Sequence, residues 1–115
     1  LIKSGPFHDP EFCGQVFTWF EEFGIEPSRI KLIPRTPDAL SHLKMYSSVD
    51  IHLDTFPYNG TTTTCEALWQ GVPTITFAGQ VHRSRVGASI LTQLGLGGFI
   101  AKSEQEYVSL ALSYA

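Results

Sequence analysis

Apolar residues return at helical spacing in several short runs, and a helix-breaking residue closes each run. Phe12, Val16, Trp19, Phe20 and Phe23 share one helical face, and Gly24 follows as a stop. Leu40 and Leu43 share a face with Tyr46 or Ser47. Cys65, Leu68, Trp69 and Val72 mark a third helix, ended around Gly71 and Pro73, and Val86, Ile90, Leu91 and Leu94 mark a fourth, ahead of Gly95. The last helix begins at Ser103, with Glu106 placed to complete a capping box, and carries Tyr107, Leu110, Ala111 and Tyr114 as its apolar stripe. Between the helices lie short strand-like stretches at residues 30–33, 49–54, 74–77 and 98–101.

Strand and helix therefore alternate with connections of a few residues. That order predicts an α/β fold with a parallel sheet flanked by helices. Right-handed crossovers bring the C-terminal ends of the strands to one edge, where ligands bind in such sheets. The loops after Ile33, Asp54, Phe77 and Ala101 are the ones to inspect. A length of 115 residues fits one domain spanning residues 1–115. The chain opens without methionine and closes inside the last predicted helix, so a piece of a larger protein is expected.

Composition narrows the function without naming it. Hydrophobic residues make up 43% and charged residues 17%, an ordinary globular balance. The net charge of -3 gives no broad basic surface, so no nucleic-acid partner is predicted. A local basic site for a phosphate ligand stays open. No apolar run approaches the ~20 residues of a membrane span, and no membrane partner or signal peptide is expected. Cys13 and Cys65 sit in apolar helical patterns and read as buried thiols, which suits a reducing, cytoplasmic setting.

The loop after Asp54 carries the strongest chemical signal. Pro57, Asn59 and Gly60 punctuate a turn, and Thr61, Thr62, Thr63 and Thr64 stand where the next helix starts. A helix N-terminus offers unpaired N–H groups and a partial positive charge, which favour a phosphate. A plain capping loop needs one threonine, and four β-branched residues make a poor helix start on propensity alone. Glu66 lies four residues after Thr62, on the same side of the helix, where its carboxylate could accept from both hydroxyls of a ribose. Alone, Glu66 also reads as an acid stabilising the helix dipole.

Two other loops are weaker signals. Arg35, Thr36 and Pro37 follow the strand ending at Ile33, and His42 comes early in the next helix, with Met45 one turn on. His42 could face a nucleobase or a phosphate, or be simply solvated. After Phe77, Gly79 permits close backbone approach, while Arg83 and Arg85 could meet a phosphate or hold the structure together. The small residues Gly87, Ala88 and Ser89 predict tight packing. There is no dinucleotide-binding glycine motif, no Walker loop and no clustering of the four histidines for a metal. Asp54 ends a strand as a phospho-accepting aspartate would, but the earlier acidic pair of a receiver domain is missing.

Residues 49–60, continuing through the threonine run, Cys65, Glu66, Ala67, Leu68, Trp69, Gln70, Gly71, Val72 and Pro73, strongly resemble the bacterial protein O-linked N-acetylglucosamine transferases, relatives of the SPINDLY proteins. Residues 84–89 with Leu91 and Thr92, and the helix around Ser41, His42 and Leu43, fit the same family. The resemblance runs from about Arg29 to the end. It implies the C-terminal lobe of a GT-B glycosyltransferase, with an N-terminal catalytic lobe and tetratricopeptide repeats elsewhere in the protein. The implied donor is UDP-N-acetylglucosamine, the acceptor a protein serine or threonine hydroxyl, and no metal or other cofactor is implied. Carried over by position, Thr61, Thr62 and Thr63 hold the diphosphate beside Asn59 and Gly60. Glu66, where animal members have aspartate, holds the ribose, and His42 with the backbone of Thr36 and Pro37 meets the uracil. The family's phosphate-binding lysine lies upstream, and Lys3 stands too near the start to be assigned to it. Catalytic acceptor-side residues are expected outside the chain. Animal members place histidine at Thr61 and arginine at Met45, so donor choice is a point where this chain could differ. A GDP-fucose-using protein O-fucosyltransferase is the alternative enzyme; a non-catalytic nucleotide-binding or interaction module and an epimerase of similar fold are the others.

Overall fold

The structure is a computed structural model of the chain and describes residues 1–114. The chain divides into two compact units, Leu1–His42 and Leu43–Ala115.

In the first unit, strand β1 (Ile2–Lys3) runs parallel to β2 (Leu32–Ile33), with Ile2 opposite Leu32 and Lys3 opposite Ile33. The helix between them is α1 (Pro10–Glu21). Asp9 caps it, its carboxylate accepting from the Glu11 N–H at 2.9 Å, and Pro10 occupies the first turn where no donor is missed. Val16 is the buried centre of its inner face, with Phe12 and Phe20 half-buried beside it. Phe23 is 83% exposed: the helix stops at Glu21, and the turn to Gly24, at φ 72°, carries Phe23 off the predicted face. Asp38 starts α2 (Ala39–Lys44), accepting from the Ser41 N–H and hydroxyl at 2.8 Å each. These bonds hold its carboxyl below the usual range.

The second unit contains a three-stranded parallel sheet in the order β3 (His52–Leu53), β4 (Thr74–Phe77), β5 (Ile100–Ala101). The helices α3 (Thr62–Trp69), α4 (Val86–Gln93) and α5 (Glu104–Ser113) complete it. The predicted α/β class, parallel strands alternating with helices, is what the chain adopts. The central strand is buried on both faces, and Thr74, Ile75 and Thr76 have no exposed surface. Gly87, Ala88 and Leu91 form the buried face of α4; of the small residues expected to pack tightly, Gly87 and Ala88 do, while Ser89 is exposed, as is Leu94 at the predicted stripe's end. The α2 helix stops at Lys44 and a 3-10 turn follows over Met45–Ser48. Tyr46 is thereby buried with Ala67 and Val72, with Leu43 and Val49 packed against them, and Leu40 is left outside.

Ser103 caps α5 as predicted, its hydroxyl accepting from the Glu106 N–H at 3.1 Å. The Glu106 carboxylate returns to the Lys102 N–H at 2.7 Å, one residue before the cap. Both cysteines are free, but only Cys13 is partly buried; Cys65 lies on the outer side of α3 and is exposed, contrary to its predicted burial. Among the described residues no helix is long and apolar enough to cross a membrane.

Candidate functional site

Asp54 ends β3 and is 2% exposed. One carboxylate oxygen accepts from the Gly60 N–H at 2.8 Å and the other from the Thr76 hydroxyl at 2.7 Å. Its backbone carbonyl accepts from the Tyr107 hydroxyl at 2.9 Å. Burial, and then the Asp54 charge, push that phenol up to about 12, so it remains a donor. One residue thus joins the start of the loop to its end, to the central strand and to α5.

Asn59 completes the frame. Its amide donates to the Thr55 carbonyl at 2.8 Å and accepts from the Gly87 N–H at 3.3 Å, while its own N–H donates to the Arg83 carbonyl at 2.8 Å. It is 1% exposed, and its side chain builds the loop. A Cβ at Gly60 would collide with the Thr63 hydroxyl, and one at Gly87 would collide with the Asp54 carboxylate and Thr76. Close approach requires glycine at Gly87, where the neighbours are buried, whereas at Gly60 the exposed Thr63 side chain could turn aside. The peptide between Phe56 and Pro57 is cis, and the Phe56 ring lies 4.5 Å from that of Phe77.

The four threonines separate into two roles. Thr64 is fully buried, and its hydroxyl donates to the Gly60 carbonyl at 3.1 Å. Thr61, Thr62 and Thr63 are exposed. The helix ladder of α3 begins with the Cys65 N–H donating to the Thr61 carbonyl at 3.0 Å, and Thr61 makes no side-chain cap. The N–H groups at this end therefore point out of the helix without the usual capping oxygen. Glu66 is half-buried on the next turn, and the Tyr46 hydroxyl lies 3.4 Å from its carboxylate. The buried hydroxyl is pushed up to about 12, first by burial and then by the Glu66 charge.

A polar ladder supports β3 from β4. Besides the Asp54–Thr76 bond, the His52 ring nitrogen Nδ1 lies 3.1 Å from the Thr74 hydroxyl. Burial lowers the His52 pKa, against a smaller opposite effect of Asp54. The loop after Phe77 is held in turn by Arg85, whose guanidinium donates to the Gly79 carbonyl at 3.0 Å. Of the two open readings for Arg85, the structure supports the structural one. A cavity lined by His82, Arg85, Ser89 and Thr92 runs along α4, but it contains none of the threonine-loop residues.

In the first unit the residues after Ile33 form a separate cluster. The β1–β2 register places Lys3 beside them. Its ammonium donates to the Thr36 hydroxyl at 3.3 Å and sits 2.6 Å from His42 Nδ1. An ammonium has no acceptor, so Nδ1 must accept and the ring proton belongs on Nε2. Thr36 and His42 are half-buried and Pro37 is exposed. The sequence leaves Lys3 unassigned because it stands so near the start; its two-residue strand shows no periodicity, and its contact with His42 spans 39 positions. Among the described residues no group of three or more histidine, cysteine or acidic side chains is gathered for a metal.

The family model described as glycosyl transferase family 41 matches residues 12–115. A rice (Oryza sativa subsp. japonica) protein named as a probable UDP-N-acetylglucosamine–peptide N-acetylglucosaminyltransferase SPINDLY is 50% identical over the whole chain, and its barley (Hordeum vulgare) counterpart is 49% identical. The chain spans only 12% of either relative. A solved structure of a mutant O-GlcNAc transferase from Thermobaculum terrenum superposes with a TM-score of 0.94 at 32% identity, covering 97% of this chain and 21% of that one. The likeness extends upstream of Arg29, through α1 and β1, where the sequence offered only position and pattern.

Proposed function

This chain belongs to glycosyl transferase family 41, and from that premise we propose that it is part of the donor-binding lobe of an enzyme that moves N-acetylglucosamine from UDP-N-acetylglucosamine to serine or threonine hydroxyls of proteins. The observation that carries this reading is the start of α3: three exposed threonines at an uncapped helix end, on a loop latched by Asp54, with Glu66 one turn further on. In such a transfer the bond from the sugar's anomeric carbon to the diphosphate breaks, and negative charge grows on the leaving group. N–H groups and hydroxyls already aimed at that charge lower the barrier, one such donor being worth about 3 kcal/mol. In the second unit, Thr61, Thr62 and Thr63 with the Gly60 backbone are the proposed diphosphate contacts, and Glu66 the ribose contact. In the first unit, His42 and the backbone of Thr36 and Pro37 are the proposed base contacts, with Lys3 orienting the imidazole. Asn59 supports the loop from beneath.

The reading has the transfer proceed without a metal, the helix end meeting the charge instead. It places the acceptor-side catalytic residues in another lobe of the protein, expects tetratricopeptide repeats beyond that, and sets the enzyme in the cytoplasm. The fragment alone would be inactive.

Titration of the labelled chain with UDP and then GDP tests the donor. Selective shifts at residues 36–42 and 61–66 with UDP support the uridine-sugar reading. Stronger binding of GDP there moves the donor to a guanosine sugar. If the full-length protein binds neither nucleotide, and Thr62→Val changes nothing, the transferase reading fails and an interaction module replaces it.

A further inference from the structure

The buried ring of Tyr46 is not explained by core packing alone. Tyrosine is a poor choice for a packed apolar position unless its hydroxyl finds a partner. Here the ring packs with Ala67 and Val72, and the hydroxyl emerges between two groups of the first turns of α3: the Thr63 carbonyl at 3.3 Å and the Glu66 carboxylate at 3.4 Å. A phenylalanine would fill the same volume without that reach. The same hydroxyl therefore touches both the turn that carries the exposed threonines and the carboxylate one turn further along.

We infer that Tyr46 is a positioning residue for Glu66 and that, through it, Tyr46 sets how strongly the site prefers a ribose to a deoxyribose. This rests on the reading of Glu66 as the ribose contact. A glutamate has several rotatable bonds, and fixing it on binding costs conformational entropy. A carboxylate that receives two vicinal hydroxyls must present its oxygens in one orientation. The phenol supplies that orientation beforehand: its ring has two torsions, both locked by the core, and its proton remains on the oxygen because burial and the Glu66 charge oppose ionisation. A carboxylate has about four lone-pair positions, so accepting from Tyr46 is compatible with accepting from a diol.

The test is a binding comparison on the full-length protein, using UDP and 2′,3′-dideoxy-UDP, with the guanosine pair run alongside. Wild type should prefer the ribonucleotide, and Glu66→Gln should lose that preference. Tyr46→Phe should weaken the ribonucleotide about fivefold, the scale of one modest hydrogen bond, while leaving the dideoxy nucleotide unchanged. In the Glu66→Gln background, Tyr46→Phe should change neither ligand. Equal weakening of both ligands by Tyr46→Phe would mean that the ring only supports the fold, and the inference is lost. A preference that survives Glu66→Gln removes the ribose reading itself, a distinct failure that takes the inference with it. Should Tyr46→Phe not fold, fluorotyrosine at this position keeps the ring and strengthens the donor. Retained or increased ribose preference then supports the inference, and a reduced preference overturns it.

Discussion

The loop between β3 and α3 is anchored by buried atoms on every side, whereas the loop between β2 and α2 is held by side chains that solvent can reach. In the first, Asp54, Asn59 and Thr64 are all within 2% of complete burial, and each makes its bonds to backbone or to a neighbouring strand. In the second, Lys3, Thr36 and His42 are half-buried and meet through their side chains. The difference fits the two roles proposed for these loops. Donors that stabilise a growing charge must already be in place, because moving them during the reaction forfeits their benefit. A surface that packs on a base can adjust as the ligand arrives.

That contrast is broken most directly at Asp54. Asp54→Ala leaves the Gly60 N–H and the buried Thr76 hydroxyl without their acceptor, and a loss of about 3 kcal/mol or more is expected in denaturant unfolding. Thr36→Ala, the parallel change in the other loop, should stay within about 0.5 kcal/mol. Equal losses would show that the two loops are held alike. Gly87→Ala comes next: its Cβ would meet the Asp54 carboxylate and Thr76, so overpacking should cost about 1–3 kcal/mol and weaken nucleotide binding together with stability. A Gly87→Ala protein with an unchanged melting temperature would show that the frame gives way easily.

Lys3→Met sharpens the contrast from the other side. It removes the donor to His42 Nδ1, and nucleotide affinity by calorimetry should fall about fivefold with the unfolding midpoint unmoved. The smallest effect belongs to His52. Burial depresses its pKa below the ordinary 6.5, so the unfolded chain takes up the proton more readily than the folded one. Its contribution to stability is complete above that value and is lost as pH falls through the depressed folded value. Melting curves from pH 7.5 to 5 should show a shallower decline for His52→Gln than for the parent, and parallel curves would remove His52 from the account.

Much of this was readable in the sequence, for identifiable reasons. Pro57, Gly60 and the threonine run mark the turn after β3 and the start of α3, and Gly24, Gly71 and Gly95 stop their helices with positive φ. What stayed hidden depends on partners distant in the chain. Thr64 cannot be told from Thr61, Thr62 and Thr63 until the helix is oriented and one hydroxyl turns inward to Gly60. Only the family resemblance places Asn59 beside the diphosphate, and its bonds with Arg83 and Gly87, distant in the chain, commit its side chain to the frame. Thr74 and Thr76 read as ordinary strand residues, yet they are the buried donors and acceptors that let β3 carry His52 and Asp54 inside.

The bond from Tyr107 to the Asp54 carbonyl bears on the order in which the molecule can be completed. It joins positions 53 apart, so a chain still emerging from the ribosome has made the whole threonine loop well before the residue that latches it. Until α5 docks, the end of β3 lacks one of its anchors. The same bond limits where the protein can be cut: a truncation placed after β5, which would look harmless on a map of ligand contacts, removes α5 and releases the loop it holds.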